Sequence, residues 1–312
     1  MKLLNILAPA LLAATLALPA QAAEKLTVLL DWAVNPDHAA LFAAKSQGYF
    51  AAEGLEVELI APSDPNDPPK LVAAGKADLA VSYQPQLVLL VDAGLPLRRI
   101  GTLVDTPLNC LATLADGPVK RIADLKGRKV GYSVAGFEDA LLGAMLKEAG
   151  LGLGDVELVN VNFALATALA AGQVDAVIGA FRNFEIPEMR LLGKPARIFG
   201  VEDHGVPAYD ELILVAAADR TGDPRLPRFL RALEKGTTYV LNHPDEAFAQ
   251  FVKDHPELND DLNREAWGLT LPRLAASPAA LDPARFTRIA EFLKAAGLIK
   301  TVLPVASYAA QP

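Results

Sequence analysis

The residues of this chain best suited to holding a small molecule fall in short clusters, each at the end of an apolar run. Trp32, Asn35 and His38 follow Leu26 to Leu30 and flank a proline turn, with Asp37 expected as the cap of the helix that follows. Tyr83 stands just past Leu79 to Ser82, and Phe181, Asn183 and Glu185 stand just past Ala176 to Ile178. Glu138 lies in the turn Gly131 to Asp139, and Tyr209 and Glu211 open the last apolar run. Their chemistry is recognition. An aromatic ring stacks on a flat ligand for about 0.5–1.5 kcal/mol beyond burial, an Asn side chain offers both a donor and an acceptor, and a carboxylate accepts charge-assisted bonds from an amine or a protonated ring nitrogen. Each residue also has a quieter reading: core packing for Trp32 and Phe181, an interface tyrosine at Tyr83, a local hydrogen bond at His38, a helix-dipole acid at Glu185, and a hinge role for Tyr209 and Glu211.

Catalytic patterns are missing from the sequence. The four histidines are scattered without metal spacing, and no nucleophile elbow or Gly-rich phosphate loop occurs. The single cysteine, Cys110, sits between apolar neighbours and reads as a small buried residue. No cofactor is implied. Glu138 and Asp139 occupy a first helical turn, where an anion-binding site would present free N–H groups. Those acids favour a neutral or cationic ligand over sulfonate, nitrate or phosphate.

These clusters need a scaffold that carries strand ends to one place. Short β-branched runs alternate with amphipathic stretches: strands at Leu26 to Leu30, Leu55 to Ile60 and Leu79 to Ser82, with helices from His38 and over Pro69 to Ala74. That alternation predicts a parallel sheet with crossover helices. After a charged turn at Arg121 to Arg128 the pattern restarts, with strands Lys129 to Tyr132, Val156 to Val161 and Ala176 to Ile178 and helices Phe137 to Ala149 and Leu165 to Ala171. Two stretches repeat in kind, Val72 to Ala80 and Ala168 to Ala176, each a helix ending at Gly followed by a polar residue, Asp and a strand. A late strand, Glu211 to Ala217, and helices Pro227 to Asn242, Asp245 to His255 and Pro283 to Ala296 predict a return to the first unit. The expected organisation is α/β: a first lobe over 24–115, a second over 116–205, and a return to the first over 206–312, with a ligand cleft between lobes joined by two crossings.

The first 23 residues, with Lys2, an apolar stretch and Pro19-Ala20-Gln21-Ala22-Ala23, read as a signal peptide cleaved after Ala22 or Ala23. A periplasmic, monomeric protein is expected. The balance of 37 acidic against 29 basic residues argues against nucleic acid or an anionic lipid surface as partner.

The succession DWAVNPDHAALFAAKSQGYFAAEGLEVEL, KLVAAGKADLAVSYQPQ, IADLKGRKVGY, GQVDAVIGAFRNFE and GVPAYDELIL resembles the ABC-importer solute-binding proteins related to thiamine-pyrimidine biosynthesis proteins, over nearly all of the mature chain. Trp32, Asn35 and His38, the run from Ser82 to Pro85, Asn183-x-Glu185 and Tyr209-x-Glu211 resemble the binders of formylated aminopyrimidine in particular. The resemblance implies a type II periplasmic binding protein fold, a ligand of the aminopyrimidine class and an ABC permease as membrane partner. Binders of riboflavin, aromatic carboxylates, sulfonates or nitrate are alternatives within the same fold. The fungal relatives implied by the same resemblance are enzymes that use a lysine for pyridoxal phosphate, a sacrificial histidine and a cysteine cluster. Here the corresponding positions are Ser82 and Gln86, and one cysteine cannot make a cluster. A binder is therefore expected rather than a synthase.

Overall fold

The computed structural model describes residues 22–312. The expected signal segment lies outside the described residues except for Ala22 and Ala23, which are exposed. In chain order the strands are β1 (Glu24–Leu29), β2 (Leu55–Ile60), β3 (Leu79–Ser82), β4 (Leu97–Val104), β5 (Asn109–Leu114), β6 (Lys129–Tyr132), β7 (Glu157–Asn160), β8 (Ala176–Phe181), β9 (Ala196–Gly200) and β10 (Leu212–Ala217). They build two five-stranded sheets of one design, ordered β2-β1-β3-β10-β4 and β7-β6-β8-β5-β9. One strand of each sheet pairs parallel with both its neighbours, β1 with β2 and β3, and β6 with β7 and β8. In each sheet the antiparallel strand, β10 or β5, is the one the chain enters on crossing from the other lobe.

This topology corrects the first expected boundary. β5 already belongs to the second sheet, so the crossing lies between Val104 and Asn109 rather than at residue 115. The charged stretch after Leu114 is a surface turn of the second lobe; its polarity marks solvent, not a change of domain. β4 and β5 are buried along nearly their whole length, so they lack the apolar-polar alternation that marks a half-exposed strand. The return crossing runs between β9 and β10.

The repeated Gly-x-x-Asp stretches do the same work in both lobes. Gly75 and Gly172 end their helices at φ of 68° and 69°, in the left-handed region open to glycine. Three residues on, Asp78 accepts the backbone N–H of Thr27 at 2.9 Å and Asp175 accepts that of Lys129 at 3.0 Å. Each Asp thus ties the start of its own strand to the parallel strand beside it, β1 or β6. The helix Arg225–Asn242 lays an apolar face, Leu226, Phe229, Leu230, Leu233 and Val240, on the first lobe. Gly236 lets it cross the helix Ala39–Ser46 so closely that a Cβ there would stand 2.5 Å from the Ala40 carbonyl oxygen. That crossing fixes the short helix directly behind the first cluster of candidate residues.

Candidate functional site

At the end of β1 the chain leaves the sheet through Leu30, Asp31 and Trp32 and re-enters a helical turn at Pro36–His38. Pro36 stands at the first helical position, where its missing N–H is harmless, so the cap falls one residue before it. Asn35 Oδ1 accepts the Asp37 N–H at 2.8 Å and Asn35 Nδ2 donates to the Ala33 carbonyl. The expected cap, Asp37, is therefore released for another role, and Asn35 reaches the cavity with its side chain oriented by these two backbone bonds. His38 is fully buried; its Nδ1 accepts the Asn35 N–H and its Nε2 lies 2.9 Å from Asp31 Oδ1. The Tyr83 hydroxyl donates to the other oxygen, Asp31 Oδ2, at 2.9 Å. His38 consequently sits behind the site and holds Asp31 in it.

The second lobe supplies two acids in matching positions. Glu138 opens the helix Glu138–Glu148 and turns back so that Oε2 accepts the Ser133 N–H at 2.6 Å. Glu185 opens the helix Glu185–Leu191, and its Oε2 accepts the Phe181 N–H at 2.7 Å. Asp139, the neighbour of Glu138, faces a separate groove with Gly143 and Leu298 and takes no part.

These walls meet around a small cavity between the lobes, lined by Asp31, Trp32, Asn35, Asp37, Tyr83, Glu138, Leu165, Gly179, Phe181, Phe184 and Glu185. Aromatic faces form its sides. Tyr83 stacks on Phe137 at 4.8 Å and meets Phe181 edge-on, while Trp32 meets Phe163 edge-on at 4.5 Å across the cleft. Among the described residues, four acids and no Lys or Arg line it. Burial disfavours the charged form of each acid that lacks a cation. It pushes Asp37 up to about 6, and Glu138 and Glu185 each up to about 8. Burial and the neighbouring Asp31 also hold the Tyr83 hydroxyl well above its ordinary range. At neutral pH the cavity presents carboxylic acids as donors beside a carboxylate acceptor.

Other candidates lie around the cavity rather than in it. Asn183 is buried; its Nδ2 donates to Asp37 Oδ1 at 2.6 Å and to the Thr270 hydroxyl at 2.8 Å, and Thr270 donates to the same Asp37 oxygen at 3.0 Å. Asp37 and Thr270 belong to the first lobe and Asn183 to the second, so these bonds clasp the lobes together. Arg190 with Glu265, and Asn66 with the Ser133 carbonyl and Ala135 N–H, cross the same gap. Tyr209 and Glu211 are fully buried at the return crossing. Glu211 Oε2 accepts the N–H groups of Leu108 and Asn109 at 2.6 and 2.8 Å, and the Tyr209 hydroxyl at 3.0 Å. One carboxyl thus binds the two crossings to each other. This is the hinge role, and neither residue touches the cavity.

Ser82 Oγ donates to Gln86 Oε1 at 2.7 Å, both side chains buried, so these two positions hold a neutral hydrogen-bonded pair. Cys110 is fully buried against the Ala180 carbonyl, and burial pushes its thiol up to about 12. Among the described residues no cluster of three or more potential metal ligands forms, and no helix is long and apolar enough to cross a membrane.

A two-lobed α/β fold with an aromatic, acidic cavity at the interlobe strand ends agrees with what family comparison returns. The NMT1/THI5 like family model matches residues 35–247. The chain belongs to that family. A Haemophilus influenzae protein named for thiamine biosynthesis is 52% identical over 297 residues, covering 95% of each chain. The formylaminopyrimidine-binding protein of Halalkalibacterium halodurans is 36% identical over 248 residues, 78% of this chain and 75% of its own. A 4-amino-5-hydroxymethyl-2-methylpyrimidine phosphate synthase of Uromyces fabae is 29% identical over 77% of this chain and 74% of its own. Among solved structures, the alkanesulfonate-binding protein SsuA of Xanthomonas axonopodis pv. citri, bound to MOPS, superposes with a TM-score of 0.74 at 17% identity, over 94% of this chain and 100% of that one. That likeness places the fold with the periplasmic binding proteins.

Proposed function

We propose that this NMT1/THI5-like protein is the extracytoplasmic solute-binding component of an ABC importer and that it takes an aminopyrimidine of the thiamine-precursor class, such as formylaminopyrimidine, into the interlobe cavity. The observation that carries the reading is the pairing of aromatic walls with four acids and, among the described residues, no Lys or Arg. A flat ring bearing an amine and ring nitrogens matches both features, whereas a sulfonate or nitrate would find no Lys or Arg in the lining to neutralise it. The relative that binds formylaminopyrimidine supports the ligand class. The signal-like segment supports export, and the protein would act as a monomer that hands its ligand to a membrane permease. Catalysis is not part of the reading, because a neutral Ser82–Gln86 pair cannot form a Schiff base.

Calorimetry provides the test. Formylaminopyrimidine or 4-amino-5-hydroxymethyl-2-methylpyrimidine should release heat and raise the melting temperature, while taurine, nitrate and riboflavin should do neither. Binding of taurine or nitrate with no response to either pyrimidine would sink the assignment. Incubation with pyridoxal phosphate should leave no stable Schiff-base absorbance.

Two substitutions probe the mode of binding. Trp32→Ala removes one aromatic wall and should weaken formylaminopyrimidine about tenfold, from stacking together with lost burial. Thr270→Val removes the hydroxyl that bonds both Asn183 and Asp37. Closure loses one buried linkage, so the affinity should fall about five- to tenfold, chiefly through faster dissociation. An unchanged dissociation rate would show that the clasp does not hold the closed form.

A further inference from the structure

We propose that the cavity supplies a proton to its ligand: the carboxylic acid of Glu185 gives its O–H proton to a basic ring nitrogen as the lobes close, and the ring is held as a cation between Glu185 and Asp37. The inference rests on the aminopyrimidine reading and adds the protonation state in which the ring is bound.

Three observations lead to it. First, each of these two carboxyls has one oxygen engaged by the protein and one without a protein donor. Glu185 Oε2 is held by the Phe181 N–H, and Asp37 Oδ1 by Asn183 and Thr270. Both side chains are more than nine-tenths buried, and both line the cavity. Second, among the described residues no Lys or Arg lines the cavity to neutralise them. His38 is committed to Asp31 and to the Asn35 N–H, and Arg182, at the hinge, is paired with Glu202. The other groups facing the pair are acids or a phenol: Asp31, Tyr83, Glu138, Glu188 and, behind the cavity, Glu211. A ligand cation is the remaining partner. Third, the two acids differ. Burial holds Glu185 protonated to about pH 8 but Asp37 only to about 6, so near neutrality one is a donor and the other an acceptor.

A donor beside an acceptor is the complement of an amidine edge, in which a ring nitrogen sits next to an exocyclic amine. The amine brings two N–H groups. Asp37 Oδ2 can take one of them, while Asn183, behind the cavity wall, holds the other oxygen of the same carboxyl in place. On transfer the Glu185 O–H bond breaks and a ring N–H bond forms. The new carboxylate keeps the Phe181 N–H and gains a cation at its second oxygen, a charge-assisted contact stronger than the neutral one it replaces. Between about pH 6, where Asp37 ionises, and about pH 8 no proton is exchanged with solvent. Above that value Glu185 of the free protein is ionised, one proton must be taken up per ligand, and the affinity should fall about tenfold per pH unit.

The test uses the mature protein and formylaminopyrimidine carrying nitrogen-15 in the ring. In the complex at pH 7.5 the ring nitrogen resonance should sit at the protonated position, while the free compound at the same pH is neutral. Glu185→Gln keeps an oxygen for the Phe181 N–H but has no acidic proton; it should bind about 10- to 100-fold more weakly and hold the ring neutral. Asp37→Asn should weaken binding but keep the protonated resonance, since Glu185 still provides the proton. A neutral nitrogen in the wild-type complex overturns the proposal whatever the variants do, as does a protonated nitrogen with undiminished affinity in Glu185→Gln. Binding heat with a neutral ring leaves the functional reading standing, whereas no heat with any aminopyrimidine removes both.

Discussion

Lowering the pH from about 8 to about 5 is expected to raise the melting temperature of the ligand-free protein, the reverse of ordinary acid lability. Asp37, Glu138, Glu185 and Glu211 are all raised by burial, Asp37 to about 6, Glu211 to about 7 and the other two to about 8. In the unfolded chain the same groups ionise near their ordinary values of about 4. Between about pH 4.5 and 8 the folded protein therefore binds more protons than the unfolded one. Stability falls wherever that is so: the penalty is absent below the unfolded values and complete above the folded ones. Acids of the opposite kind, such as Glu53 beside Arg231, and Asp223 beside Arg225, are lowered by hydrogen bonds from those guanidinium groups. Their stabilising contribution disappears only under about pH 4, outside this window. A rise on the order of 5–10 °C is expected, corresponding to about 2–3 kcal/mol. Thermal scans from pH 8 to 5 measure it directly. The double variant Glu138→Gln with Glu185→Gln should flatten the profile by raising stability at pH 8 more than at pH 5. A melting temperature that falls steadily from pH 8 to 5 would mean that these carboxyls are solvated or paired in the folded protein.

The same burial explains which parts of the site could be read from the sequence. Strand ends were legible, because an apolar run stops where a polar or aromatic residue begins, and that brought Trp32, Tyr83, Phe181 and Glu185 to the same cavity. Side-chain direction was not. Asn35 and Asp37 are two residues apart in one turn, and the proline between them decides which caps and which faces inward. The signal was available in the preference for Pro at the first helical position, which shifts the cap to Asn35. Tyr209 and Glu211 lie close to the cleft in sequence terms, yet their partners, the Leu108 and Asn109 N–H groups, come from the other crossing. No local pattern announces a bond over that separation. Thr270 belongs to a helix, Asp261–Thr270, with no feature pointing to the cavity, and its role appears only once the lobes meet. Gly179 was hidden differently: within an apolar strand a glycine reads as mere permissiveness, although here the missing side chain makes room for another residue's carboxyl group.

Replacing that glycine should produce the largest single-site effect. Gly179 lies in β8 at φ 99°, a conformation that L side chains rarely adopt, and lines the cavity. A Cβ built there would lie 2.3 to 2.6 Å from the carboxyl atoms of Glu138. Glu138 cannot yield without loss, because its Oε2 holds the Ser133 N–H and its neighbour Phe137 stacks on Tyr83. Nor can β8 retreat easily: the Gly179 N–H is bonded to Asn109 Oδ1 at the hinge, at 3.1 Å. Gly179→Ala thus combines about 1–2 kcal/mol of backbone strain with about 1–3 kcal/mol for a buried N–H left unpaired. Together these should lower the melting temperature on the order of 5–15 °C. The displaced carboxyl would enter the space between the aromatic walls, so the affinity for formylaminopyrimidine should drop more than about 100-fold, beyond the loss of one charge-assisted bond. Adding Glu138→Ala separates the two causes. The double variant removes the colliding carboxyl and should recover part of the melting temperature, leaving the backbone strain and the unpaired Ser133 N–H. It should not restore the affinity, because the acid is gone from the cavity. The effects of the two substitutions on stability would then be far from additive, as expected for groups in contact. Additive losses, or a Gly179→Ala protein that melts and binds like the wild type, would show that Glu138 does not rest against β8 and that the acidic wall of the cavity is built some other way.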